Sequence, residues 1–219
     1  MPKKLLAVLS LAVVSLCPTL AKADTQAVTF TSANPADVFN NGDGFSLGYS
    51  FIATAAAAVD ALGYFDNGSA SSLTETHDVG LYNSNGTLLA SAVVTSGTGS
   101  QVGFFDYVPI SGVELIAGQT YDVVGTSGLV DPYTFDPNGF TTASNIVFEG
   151  DIYQSGNTLA FPDMTEPVPD GIFGGNFEEN IGGTVTNSVT PEPSSLALLG
   201  TGLVGGMGLL RRRRSGWAF

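Results

Sequence analysis

Asp78-Val-Gly-Leu-Tyr82, Asn83-Ser-Asn-Gly86 and Thr87-Leu-Leu-Ala-Ser-Ala-Val-Val-Thr95 follow one another without a break. Two apolar runs flank a four-residue turn. Asn85-Gly86 is the dipeptide that takes positive φ at low cost, so the stretch reads as an antiparallel hairpin. The same pattern repeats on both sides of it. Short segments rich in Val, Phe, Tyr and Thr alternate with Gly, Ser, Asn and Asp, and no stretch sustains a period of 3.6. The hairpin strands are 77–82 and 88–95, and further strands are expected over 27–31, 46–52, 59–65, 101–108, 120–125, 145–149 and 158–161. In the 101–108 strand, Phe104 and Phe105 should place one ring on each face. Residues 53–58 (ATAAAA) favour helix, but six residues are too few for an isolated one. They read as the rim of a strand. The fold class is therefore all-β, an antiparallel β-sandwich of jelly-roll or immunoglobulin-like type over residues 24–179.

From about residue 163 the pattern changes. Glu166-Pro-Val-Pro-Asp-Gly171 breaks any strand, and Phe173-Gly-Gly-Asn-Phe177 and Ile181-Gly-Gly-Thr184 follow. This stretch reads as an edge strand or covering loop, and 180–190 as a linker.

All seven Lys and Arg residues lie at the two ends of the chain. Between Asp24 and Thr190 there are 19 acidic residues, one histidine (His77) and no Lys or Arg. At the start, Lys3 and Lys4 precede the apolar run Leu5–Leu16, and Ala21-Lys22-Ala23 offers a small-x-small cleavage site. Residues 1–23 are thus expected to be a secretory signal peptide, removed by signal peptidase between Ala23 and Asp24. The only cysteine, Cys17, lies inside it, so the mature protein carries no thiol. At the other end, Pro191-Glu192-Pro193 precedes an uncharged stretch, 194–210, and then Arg211, Arg212, Arg213 and Arg214. That stretch is at the short end of a membrane-spanning helix. The arginines should keep the far side cytoplasmic.

The order Pro-Glu-Pro, short Gly/Leu-rich span, Arg cluster resembles the PEP-CTERM sorting signal of exported bacterial proteins, also labelled an ice-binding-protein C-terminal motif. The resemblance implies recognition by an exosortase in the inner membrane, loss of the tail, and delivery to the cell surface or an exopolysaccharide matrix. Contact with the inner membrane would then be transient, through the C-terminal helix. Residues 46–125 also resemble the DUF4082 domain. The resemblance rests on Leu47-Gly-Tyr-Ser-Phe51, Val59-Asp-Ala-Leu-Gly-Tyr-Phe65, His77-Asp-Val-Gly-Leu-Tyr82, Gly86-Thr-Leu-Leu-Ala-Ser91 and Val113-Glu-Leu-Ile-Ala-Gly-Gln-Thr-Tyr121. It implies a jelly-roll or immunoglobulin-like module and no assigned chemistry.

The charge pattern excludes some functions. Nucleic-acid binding needs cations against the phosphates, and the body has none. Ion pairs inside the body are limited to His77 and the new N-terminus. Bound Ca²⁺ would relieve the repulsion among carboxylates. Three acidic loops offer oxygen ligands: Asp43 in 40–44, Asp66 with Glu75 and Asp78 around 66–78, and Asp131 and Asp136 in 131–139. None has EF-hand spacing, and the same residue types serve turns for their backbone geometry. Otherwise no cofactor is expected. His77, alone and without a nucleophile-elbow pattern, is expected to be structural or at the surface. Two functions remain. One is a non-catalytic surface or matrix protein associated with exopolysaccharide. The other is a secreted carbohydrate-active hydrolase using a carboxylate pair.

Overall fold

The computed structural model describes residues 24–32, 38–40, 42–67, 73–137, 139–166 and 171–183. Among these residues every regular element is a strand, and every strand pairing is antiparallel. The first half holds β1 (Thr25–Gln26), β2 (Val28–Thr29), β3 (Val38–Phe39), β4 (Phe45–Ala53), β5 (Ala57–Phe65), β6 (Thr76–Asn83), β7 (Leu88–Thr95) and β8 (Ser100–Val102). The second holds β9 (Phe105–Leu115), β10 (Thr120–Thr126), β11 (Tyr133–Phe135), β12 (Thr141–Thr142), β13 (Ile146–Ser155), β14 (Met164–Thr165), β15 (Ile172–Phe173) and β16 (Gly175–Ile181). A six-stranded sheet has the order β14-β13-β4-β10-β6-β7 and a five-stranded sheet the order β1-β16-β5-β9-β8. Two small sheets, β15-β11-β3 and β12-β2, accompany them.

The hairpin forms as the sequence predicts. β6 and β7 pair from Thr76↔Thr95 to Tyr82↔Leu88. Gly86 takes φ +78°, and the Asn83 side-chain oxygen accepts the Asn85 and Thr87 amides at 3.0 Å each. Strand alternation then builds the core. Tyr49 and Phe51 on β4, Val79 and Leu81 on β6, and Val123 on β10 bury one face of the larger sheet. Leu62 and Tyr64 on β5 and Phe177 on β16 join the same cluster from the other sheet, with Phe51 and Phe177 rings 5.0 Å apart. Fully burying a side chain of this size contributes about 1.5–3 kcal/mol.

Three expectations need correction. The strand expected over 101–108 is two strands. Gly103, at φ +60°, turns the chain between β8 and β9. Phe104 and Phe105 therefore do not straddle one strand. Phe104 stacks on Phe30 at 4.7 Å and Phe105 meets Phe30 at 5.7 Å, so both belong to the packed interior. Residues 158–161 are not a strand but part of a strap over the outer face of the larger sheet. Leu159 packs there with Tyr82, Val124 and Ile152, and the Phe161 ring lies 5.6 Å from Tyr82. Finally, residues 175–181 are neither an edge strand nor a loop. β16 lies between β1 and β5. It continues to Ile181, into the segment read as linker.

The first and last described residues of the sandwich, at 24 and 183, lie at one pole. Thr25 pairs with Glu179, Ile181 pairs with Ala57, and the Gly182 amide donates to the Ala56 carbonyl at 3.0 Å. The opposite pole carries the loops after β5 and β10 and before β4 and β6. The signal-peptide and C-terminal helices expected from the sequence lie outside the described residues. Among the described residues no helix is long and apolar enough to cross a membrane.

Candidate functional site

A buried carboxylate without Lys or Arg nearby must find N–H or O–H donors, or its charged form is disfavoured. Among the described residues six carboxyl side chains are buried: Asp66, Asp106, Asp122, Asp131, Asp151 and Glu179. Backbone amides serve two of them, Asp131 and Asp151, in place of Lys and Arg. Asp151, on β13, accepts the Gly171 amide at 2.9 Å and the Ile172 amide at 2.7 Å, which ties the chain entering β15 to the larger sheet. The densest arrangement is at the loop pole.

There, Asp131 accepts four donors. Its Oδ2 takes the Thr74 and Glu75 amides, each at 2.7 Å, and faces His77 Nε2 at 3.0 Å. Its Oδ1 takes the Thr74 hydroxyl at 2.6 Å. Glu75 returns the contact. Its carboxylate accepts the amides of Leu129 (2.9 Å), Val130 (2.6 Å) and Asp131 (3.0 Å). Segments 73–75 and 128–131 are thus braced to each other by two carboxylates pointing in opposite directions. Asn40 adds the first acidic loop, donating to the Asp131 carbonyl at 2.6 Å.

His77 anchors this brace to the sheet. It sits within β6, on the same face as Val79 and Leu81, and is 0% exposed. Its Nδ1 meets the Thr126 carbonyl at 2.7 Å. The Tyr64 ring stacks on it at 3.7 Å and 4°. The Tyr64 hydroxyl in turn faces the carbonyls of Ser127 (3.4 Å) and Pro132 (3.3 Å), on either side of the braced loop.

Electrostatics follow from these contacts. Burial alone would raise the Asp131 carboxyl. The hydrogen bonds from Thr74, His77 and the Glu75 and Thr74 amides outweigh it and hold the group below the usual carboxylate range. Glu75 behaves likewise. Desolvation pushes it up, and the amides of Asp131, Val130 and Leu129 bring it down despite the neighbouring Asp131 charge. Burial pushes the Tyr64 phenol well up, helped by the Asp131 charge.

The five aspartates proposed as calcium ligands have separate fates. Asp43 is exposed ahead of β4. Asp66 is buried after β5, its amide donating to the Phe104 carbonyl at 2.8 Å. Asp78 is half-buried on β6, its amide donating to Thr126 Oγ1 at 2.8 Å. Asp136 is exposed at φ +49°. Asp131 holds the protein donors just described, which makes it a brace. Among the described residues no group of three or more His, Cys, Asp or Glu side chains is placed to hold a metal ion. What the fold does gather is Asp131, Glu75, Thr74, His77 and Tyr64. Reading His77 in register with Val79 and Leu81 would have placed it on the inner face. Glu75 stands in the second acidic loop of the sequence, where it offers itself as a cation ligand, yet its carboxylate is turned to backbone amides. Nothing local pointed to Tyr64.

The family model for a domain of unknown function (DUF4082) matches residues 32–167, more than half of the 219-residue chain. The chain belongs to the DUF4082 family. The match covers Tyr64, Thr74, Glu75, His77, Thr126 and Asp131, and so the whole brace. It extends beyond the segment whose residues carry the resemblance in the sequence. Even so, β1, β2, β15 and β16 of this DUF4082 protein lie outside it, although β16 is an inner strand of the five-stranded sheet. The PEP-CTERM protein-sorting motif matches residues 189–214, which include Pro191, Glu192, Pro193 and Arg211 to Arg214. These residues, like Ala21 and Ala23 at the expected cleavage site, lie outside the described residues. The DUF4082 chain is therefore an exported protein that passes through the membrane with an exosortase as its processing partner. No curated protein matches the chain.

Proposed function

We propose that this DUF4082 protein is a non-catalytic component of the cell surface or extracellular matrix, associated with exopolysaccharide. In this reading signal peptidase removes residues 1–23 and the exosortase removes the tail after delivering the body. The observation that carries the proposal is the sorting motif at 189–214, a few residues beyond the end of β16 at Ile181. The position of that end supports it. β16 ends at Ile181 at the pole opposite the braced loops, on the side from which the chain runs on to the sorting motif. Polysaccharide contact would be made through hydroxyl, amide and backbone groups, because the body offers no Lys or Arg to an anionic polymer.

The test is mass spectrometry of the mature C-terminus in native cells, with membrane and matrix fractions compared. A chain ending near Pro191–Pro193 and recovered with the polysaccharide fraction is the expected result. An intact tail through Phe219, confined to the inner membrane, would overturn it. Co-sedimentation with purified exopolysaccharide tests the association separately, and a protein that stays in the supernatant at every concentration would remove that part.

A further inference from the structure

A sheet edge offers a row of backbone N–H and C=O groups to any strand that comes beside it, and folded proteins blunt their edges against this. Most open stretches of this sandwich are blunted. Past its pairing with β8, β9 carries Pro109 and Glu114, and its register against β5 breaks between Pro109 and Val113. Past its pairing with β14, β13 carries Glu149 and a bulge between Phe148 and Gly150, and its Asp151 carbonyl accepts the Glu166 amide at 3.1 Å. β16 is flanked by β1, and the Ala27 amide extends that cover to the Phe177 carbonyl at 2.9 Å.

β7, the last strand of the six-stranded sheet, has none of these devices over its second half. Leu88–Thr95 contains no charge and no proline, and its register against β6 is unbroken from Ala90 to Thr95. Thr95 gives its N–H to the Thr98 hydroxyl at 3.0 Å, and its carbonyl accepts the Thr98 amide at 3.0 Å. It is therefore not one of the residues bonded to β6. Backbone groups alternate sides along a strand, so Val93 and Ser91 also turn theirs away from β6. Among the described residues no strand stands beyond them. The side chains of Leu89, Ser91 and Val93 are exposed, Val93 at 55%.

Charge decides which partner fits this edge. The body's 19 carboxylates, with no Lys or Arg, make two copies repel over most of their surfaces. Residues 79–105 form the longest run of the body without Asp or Glu, and β7 lies in the middle of it. Two copies can meet there edge to edge, with Asp78 one strand in from the contact. The strand is also self-complementary. In an antiparallel pair about a two-fold axis at Ala92, Ser91 of one copy stands opposite Val93 of the other, and all their outward N–H and C=O groups find partners. The non-hydrogen-bonded pair on the axis, where side chains come closest, consists of two alanines.

We infer that β7 docks a second copy of this chain, edge to edge and antiparallel about Ala92, joining the six-stranded sheets of two molecules. The contact is isologous, so it closes at two copies and leaves no further β7 edge open. It holds whatever the body binds.

The experiment combines analytical ultracentrifugation with amide exchange on the exported protein over a range of concentrations. The expected result is a monomer that becomes a dimer as concentration rises. Protection at Ser91 and Val93 should rise with the dimer, while Ala92 and Val94, whose amides face β6, stay protected throughout. Ser91→Pro removes one outward donor per copy at a position where an edge strand accepts proline. It should raise the dimer dissociation constant about tenfold or more, with the circular dichroism spectrum unchanged. Ser91→Glu sets like charges diagonally across the axis and should act in the same direction. A monomer at every concentration would overturn the inference. So would Ser91 and Val93 amides that are protected in the monomer or only on addition of exopolysaccharide, or a dimer indifferent to both variants.

Discussion

A methyl group on Gly175 tests what sets the spacing of the two sheets. An ideal Cβ there lies 2.7 Å from the Val124 carbonyl carbon, 2.9 Å from the Gly125 nitrogen and 3.0 Å from the Val124 oxygen. Comfortable carbon contacts are roughly 3.5–4.0 Å, so the methyl is about 1 Å too close. All three neighbours are backbone of β10, which is hydrogen-bonded on both sides and cannot swing aside as a side chain would. Overpacking typically costs about 1–3 kcal/mol, and rigid neighbours place this case near the upper end. Alanine also restricts the unfolded chain, offsetting about 0.4–1 kcal/mol. Gly175→Ala should therefore lose about 2–3 kcal/mol, seen as a Tm lower by roughly 5–10 °C in circular dichroism melts. Gly125 faces the same gap, since its Cβ would meet the Gly175 nitrogen at 3.0 Å. The double variant should then cost less than the sum of the singles, because both methyls press on one separation. A single-variant loss below about 1 kcal/mol, or strict additivity, would show that backbone contact does not set the spacing.

Other perturbations test the carboxylates. Asp151→Ala strands the Gly171 and Ile172 amides and should cost about 2 kcal/mol or more in urea unfolding, with Asp151→Asn milder because one acceptor remains. Burial, then the Asp24 charge, pushes Asp60 up to about 6, and Glu178 is raised by burial, Asp24 and Asp60. A raised carboxyl binds its proton more tightly in the native state, so stability contributed near pH 4 is lost as pH rises toward 6. Asp60→Asn should accordingly raise Tm on the order of 2–4 °C at pH 7 and change it little at pH 4. Asp131 and Glu75 have the opposite sign. Their carboxyls are depressed, so the stability they contribute is present above about pH 4 and is lost as pH falls through their folded values. Glu75→Gln should flatten that acid limb, as read from Tm against pH.

The local pattern made most strands legible. β4 to β7 and β10 need only period-two alternation and turn residues, and they appear where those signals place them. Tandem glycines misled at 173–177. Gly174 and Gly175 resemble loop residues, yet Gly175 is small because the β10 backbone passes against it, and Gly174 because Leu47 of β4 and Tyr64 of β5 close over it. At 101–108 a single glycine reversed the chain inside an otherwise strand-like run, which alternation alone does not mark. The acidic loops suit turns and cations equally by sequence, because Asp, Asn and Gly serve both. Only the pairing of loops showed that Asp131 and Glu75 face backbone amides.

From the chain alone followed the all-β class, the motif at the C-terminus, and a body in which any ion pair must use His77 or the new N-terminus. These depend on composition and on neighbours a few residues apart. The tertiary structure decided that β16 lies inside a sheet, that glycines face each other across the sandwich, and that His77 meets Asp131, 54 residues away. Such contacts arise from strand order and register. Those are set by burying every strand at once, and no single segment encodes them.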